Sequence, residues 1–195
     1  VLDLKPAGAT VIELLNATTD EQLDRPTPCS EYTVAQLIGH IREVAVGFAA
    51  MARKDSDRPP DDPDSIPSVF DAARRRETAE LVDALTLAWD APDAWQGTTA
   101  LSPDVALPNE VWGRIVLTEL VVHGWDLARA TGRPLDLPTA TLRACLDHVV
   151  DFVPKAPIPQ LWGPAVVASG DAALIDRIVA VTGRDPRWSG TASES

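Results

Sequence analysis

The chain has 195 residues, of which 45% are hydrophobic and 24% charged, enough apolar material for one buried core and, at roughly 150 residues per domain, too little for two. Its formal net charge is −12 and its sequence pI about 4.5, so the clustered Lys and Arg that displace counterions are missing, and neither nucleic acid nor an anionic membrane is expected as a partner. No unbroken apolar run approaches the ~18 residues that span a bilayer, and the opening "VLDLKPAGAT" has no basic region followed by an apolar stretch, so a soluble, cytoplasmic protein is expected.

Helical periodicity runs through almost the whole chain. The first helix is predicted over residues 6–23, with Val11, Leu14, Leu15 and Thr18 on one stripe. "PTPCSEY" then reads as a turn. It carries Cys29, which is far from Cys145 and in no C-x-x-C pairing, so a disulfide is not expected. Cys29 just ahead of a helix has two readings, a thiol of lowered pKa or a plain structural one. A second helix is predicted over 33–53. Thr33 followed by Gln36 makes a capping box, and Tyr32 and Leu37 are placed for a hydrophobic staple.

The Pro- and Asp-rich "KDSDRPPDDPDSIP" is a loop long enough to be a crossover connection. A third helix is predicted over 68–89, with Phe70, Leu81, Leu85 and Ala88 at helical spacing. "DAPDAWQGTTALSPDVALPNE" reads as another long irregular connection. A fourth helix opens at Pro108 and closes at Gly132, a favourable first-turn proline and a typical glycine stop. Two shorter helices follow, over 139–153 and 172–182. The second ends in "TGRDP", echoing the "TGRPLD" that closes the fourth helix; this is one stop signal used twice. The only extended piece expected is at "PAVVAS". The fold class is therefore all-α: a bundle of four long helices with long crossover connections and additional C-terminal helices. One domain covers residues 1–195, with a core over about 6–132 and a helical extension over about 135–187.

Polar residues interrupt the apolar faces at few places. On the fourth helix Glu119 and His123 project within roughly 40° of each other, along the stripe of Trp112, Val116, Leu127 and Ala130. Asp126 lies on the flank of that face. A lone buried carboxylate costs several kcal/mol or must take up a proton, so it needs a partner. A divalent cation supplies one; a structural hydrogen bond or ion pair is the other reading. On the second helix His40 lies at the edge of the stripe of Leu37, Ile41, Val44 and Phe48, where it could meet Glu119 and His123 between facing helices. His148 sits off the apolar face of its helix and receives no role. Trp112 and Trp125 are the nearby aromatics, Trp125 projecting nearly opposite His123.

These residues also carry a family resemblance. "EQLDRPTPCSEYTVAQLIGHI" and "ELVVHGWDLARATGRPLD" resemble the two signature blocks of the DinB-like bundles related to mycothiol-dependent maleylpyruvate isomerase. "GPAVVASGDAALIDRIVAVTGRDPRW" resembles the ending of a single-domain branch of that group. The resemblance implies a four-helix bundle, a homodimer, and a divalent metal held by His40, Glu119 and His123. The isomerase that names the group carries a catalytic arginine in a second, C-terminal domain. Here only about 60 residues follow the fourth helix, and no residue is assigned to that arginine.

Three protein ligands leave coordination positions open, as in a catalytic site. His₂Glu suits Zn²⁺ best, with Ni²⁺ or Fe²⁺ as other fits. The expected activity is a metal- and thiol-dependent transferase or isomerase in which mycothiol is the cosubstrate and an electrophilic small molecule the substrate. Asp126 either orients a ligand or the thiol, or is a supporting helix-end carboxylate. The alternatives are a hydrolase using water activated at the metal, and a bundle that binds metal or ligand without turnover.

Overall fold

The computed structural model describes residues 1–55, 70–156 and 162–190. Six α-helices and one hairpin follow in order: α1 Lys5–Ala17, α2 Val34–Ala52, α3 Ala72–Asp90, β1 Thr98–Ser102, β2 Val105–Pro108, α4 Asn109–Thr131, α5 Thr139–Phe152 and α6 Leu174–Val181. The fold is mostly helical, as expected. Each of α1 and α2 packs against both α3 and α4, while α5 lies on α4 and carries α6. Leu15, Leu37, Ile38, Leu85, Trp89, Leu117 and Leu127 are fully buried where these helices meet, and it is this apolar burial that holds the helices together.

Local signals set most element ends. Thr33 caps α2, its side chain accepting from the Gln36 N–H while the Gln36 side chain accepts from the Thr33 N–H. Tyr32, ahead of the cap, packs against the core and stacks its ring on His40 at 5.3 Å. α1 stops at Ala17, short of the predicted residue 23. There Thr18 turns to an extended conformation, and Thr19 opens a 3₁₀ turn over Asp20–Gln22. α3 begins at Ala72 under an Asp71 cap; the earlier start expected at 68 and most of the Pro- and Asp-rich loop lie outside the described residues. By length and composition α2 could cross a membrane, yet its apolar side packs into the core against α3 and α4.

The connection before α4 is not irregular. Residues 98–108 form an antiparallel hairpin with a bulge between Ala100 and Ser102. β1 is largely exposed, and the alternation of β2, with Val105 and Leu107 on the core, spans only four residues, too short a pattern to reveal the strands in sequence. Polar bonds anchor the hairpin: Asn109 donates to the Gln96 carbonyl and accepts from the Thr99 hydroxyl, and the Trp112 indole donates to the Thr99 carbonyl. Trp112 therefore belongs to the hairpin anchor. Conversely, "PAVVAS" forms no strand and runs as irregular chain, with Val166 donating to the Ala180 carbonyl.

The two "TGR" stops share one geometry. Gly132 and Gly183 have φ of 71° and 86°, a left-handed conformation that glycine adopts without penalty. Gly132 N–H bonds to Arg129 O and Arg133 N–H to Ala128 O; Gly183 N–H bonds to Ala180 O and Arg184 N–H to Val179 O. Both pairs are the Schellman pattern. The second stop also meets Gly163: a Cβ at Gly183 would lie 2.6 Å from Gly163 Cα. This close backbone contact fixes where Arg184 leaves α6.

His148 departs from expectation. It is buried at 7% exposure and stacked on Phe152 at 4.9 Å, because α5 is covered by α6 as well as by α4 and so buries more than one stripe. Burial pushes its imidazole down to about 4, a neutral core histidine.

Candidate metal centre

α2 and α4 pack against each other and bring three donor atoms together. His40 Nε2 and His123 Nε2 each lie 3.2 Å from Glu119 Oε2, and the donor atoms of the three residues all fall within 4.8 Å of one another. The two imidazole rings meet edge-on, with centroids 4.7 Å apart. Glu119 and His123 are buried at 7% and 5% exposure, whereas the His40 side chain is partly open to solvent. Behind the pair, Val11, Ile41, Val44 and Leu120 seal the apolar side. The polar defect in the α4 stripe is thus a convergence of three side chains from two helices.

Asp126 is fully buried on the next turn and its Oδ2 lies 3.0 Å from His123 Nδ1. The ring of His123 therefore has a carboxyl group at each nitrogen, an arrangement that favours a proton on both when no cation is bound. Burial would lower the pKa of His123, but the hydrogen bonds to Asp126 and Glu119 outweigh it and raise it to about 9. Burial likewise works against the Glu119 carboxylate, yet the hydrogen bonds from His123 and His40 hold it well below the usual carboxylate range. A divalent ion would relieve this arrangement. It would take the Nε2 lone pairs and the Glu119 oxygen, while Nδ1–H of His123 stayed on Asp126, the usual support for a metal-binding histidine. The donor set fits a divalent cation.

Sequence reasoning did not reach the other side of the centre. Arg184, from the second "TGR" stop, reaches across to Asp126 with Nη2 3.1 Å from Oδ2 and Nε 3.4 Å from Oδ1, and donates Nη1–H to the Thr182 carbonyl at 2.8 Å. A pocket of about 300 Å³ opens over the trio, walled by Cys29 and Tyr32 from the turn before α2 and by Trp162, Gly183 and Arg184 from the C-terminal segment. The turn is held by Thr27, whose buried hydroxyl lies 2.9 Å from the carbonyls of both Cys29 and Tyr32. Burial pushes the Cys29 thiol up, against the pull of the Arg184 charge, so Cys29 is a protonated wall residue. Tyr32 and Trp162 are the pocket's aromatics. Trp125 packs away from it, under the Arg129 guanidinium.

A model described as the mycothiol maleylpyruvate isomerase N-terminal domain matches residues 4–128. The chain belongs to that family. Two uncharacterised proteins of Mycobacterium tuberculosis, one from each of two strains, are each 34% identical to it over 127 residues, 64% of this chain and 63% of theirs; the chain thus spans less than two thirds of the length of these relatives. A crystal structure of a histidine-to-alanine mutant of mycothiol-dependent maleylpyruvate isomerase superposes with a TM-score of 0.62 at 16% identity, over 84% of this chain and 72% of that one, a likeness of fold. The match to the mycothiol maleylpyruvate isomerase N-terminal domain holds His40, Glu119, His123 and Asp126. Trp162 and Arg184 lie beyond it, in the segment that closes the pocket.

Proposed function

We propose that this protein is a divalent-metal-dependent enzyme that activates a low-molecular-weight thiol, mycothiol by family, for transfer to or isomerisation of an electrophilic small molecule. In this reading the chain is a single DinB-like domain, a four-helix bundle with long crossovers and a C-terminal helical extension. His40, Glu119 and His123 hold the ion, Zn²⁺ by ligand type. The observation that carries the proposal is the convergence of two Nε2 atoms and one carboxylate oxygen within 4.8 Å at the floor of an open pocket. When bound, a divalent ion lowers the pKa of a thiol that ligates it, supplying a thiolate at neutral pH.

The chain's own residues tune what enters. Glu119 brings a divalent centre to a formal charge of about +1, and the charges of Asp126 and Arg184 cancel, so the pocket floor favours an anionic ligand. Asp126 fixes the tautomer of His123 by accepting its Nδ1–H. Tyr32 stacks on His40 and limits its rotation. Hydrolysis would need a general base as well: Asp126 is engaged by His123 and Arg184 and Cys29 holds its proton, which leaves the exposed Glu31 on the pocket wall as the carboxylate to test. The test is consumption of a panel of activated alkenes, alkyl halides and unsaturated diacids by zinc-loaded protein with and without mycothiol. Turnover that requires the thiol is expected; ester or amide hydrolysis at full rate without thiol would replace this reading.

A further inference from the structure

Arg184 lines the pocket and directs three of its five N–H groups to the protein. Each of its three nitrogens makes a bond, Nε and Nη2 to the two oxygens of Asp126 and Nη1 to the Thr182 carbonyl. The residue is 7% exposed and Asp126 is 0% exposed. Asp126 in turn has two partners, the guanidinium and the Nδ1–H of His123, meeting at one oxygen, Oδ2. We propose that Arg184 is a positioning residue of the metal centre: it holds Asp126, which holds His123, so that the segment after α5 completes a site whose ligands all come from α2 and α4.

The physical case rests on what Asp126 would do alone. When His123 is a neutral ligand to the ion, a fully buried carboxylate with that imidazole as its single partner carries an uncompensated charge, which is costly in a low-dielectric interior. It would rotate toward water or another donor, and His123 would lose the acceptor that fixes its ring. The two-pronged contact of a guanidinium on both carboxylate oxygens prevents this, because it fixes orientation as well as charge. The delivery of Arg184 is itself built in: the Gly183 stop of α6, pressed on the backbone of Gly163, sets the direction of the next residue. An arginine that only bound substrate would have no effect on zinc binding in the absence of substrate. Here the donors point to Asp126, so the effect should appear with metal alone.

This inference rests on the metal-binding reading above, and its test uses the full chain with zinc as the only ligand. Zinc affinity would be measured by competition with a chromophoric chelator for wild type, Arg184→Ala, Arg184→Lys, Asp126→Asn and the double variant Asp126→Asn/Arg184→Ala, with thermal unfolding of each metal-free protein as a check on folding. Arg184→Ala should weaken zinc binding about ten- to hundredfold. Arg184→Lys, a cation without the fork, should restore part of that loss. On the Asp126→Asn background, removing Arg184 should change affinity by less than about threefold, because the intermediary is gone. Should Arg184→Ala not fold, the lysine variant carries the test, with a loss of about threefold or more expected. Wild-type affinity in both Arg184 variants, or an equally large loss with and without the Asp126 carboxylate, would overturn the inference and leave the metal site standing. A wild-type chain that binds no zinc would overturn both.

Discussion

Loading the centre with a divalent ion at pH 8 should expel close to one proton, and the source is His123. In the metal-free protein its two nitrogens face Asp126 at 3.0 Å and Glu119 at 3.2 Å, and the protonated ring donates to both. Its pKa is raised to about 9, so one unit below that value the ring is about 0.9 protonated. Ligation claims the Nε2 lone pair and releases that proton, while Nδ1–H stays on Asp126. The sign follows: the ion competes with a proton, so affinity rises with pH by about eightfold per unit near pH 8 and levels off above 9. Zinc titration calorimetry in two buffers of different ionisation enthalpy reads the proton count directly. A release below about 0.3 proton, or an affinity flat between pH 7.5 and 8.5, would show that His123 is not held between two carboxylates or does not ligate the ion.

The same pair governs the metal-free protein's stability. The contribution of Glu119, lowered from 4.5, is complete above that value and disappears as pH falls through its folded pKa; that of His123, raised from 6.5 to about 9, is complete below 6.5 and disappears as pH rises through 9. Melting temperature of the metal-free protein should therefore be highest between these ranges, and a steady rise from pH 6.5 to 9 would contradict the assignment. Gly113→Ala should destabilise by about 1–3 kcal/mol in urea unfolding, since its Cβ would sit 2.5 Å from the Trp95 ring and 2.9 Å from that of Trp89; an unchanged midpoint would mean that these rings move freely. Gly183→Ala, at φ 86° and against Gly163, should cost more than about 1 kcal/mol and also weaken zinc binding by displacing Arg184. Loss of stability at unchanged affinity would separate the stop signal from the site.

What could be read from sequence was what neighbouring residues decide. The Thr33–Gln36 box, the Gly132 stop and the spacing of Glu119 and His123 depend on a few adjacent positions, and each stands where expected. His40 was legible because its stripe faces α4. Asp126 was legible as a flanking carboxylate, but its partner was not. Arg184 is 58 residues from Asp126, and only the docking of α5 on α4 and of α6 on α5 brings them together. The echo of "TGR" pointed to a chain reversal at Gly183 and said nothing of what the next residue would reach. The hairpin escaped for the opposite reason: β1 is exposed, the alternation of β2 is only four residues long, and the anchoring falls to Asn109 and Trp112. His148 was placed on the wrong side of α5 because α6 covers a second face that no local pattern announces.

The most direct measurement is a titration of cobalt-substituted protein with mycothiol, followed by absorption. Binding of the thiol at the ion held by His40, Glu119 and His123 should add a sulfur-to-cobalt charge-transfer band that saturates at one thiol per site and is missing in His123→Ala. A spectrum unchanged at saturating mycothiol, with cobalt still bound, would contradict the proposal that this centre exists to activate a thiol.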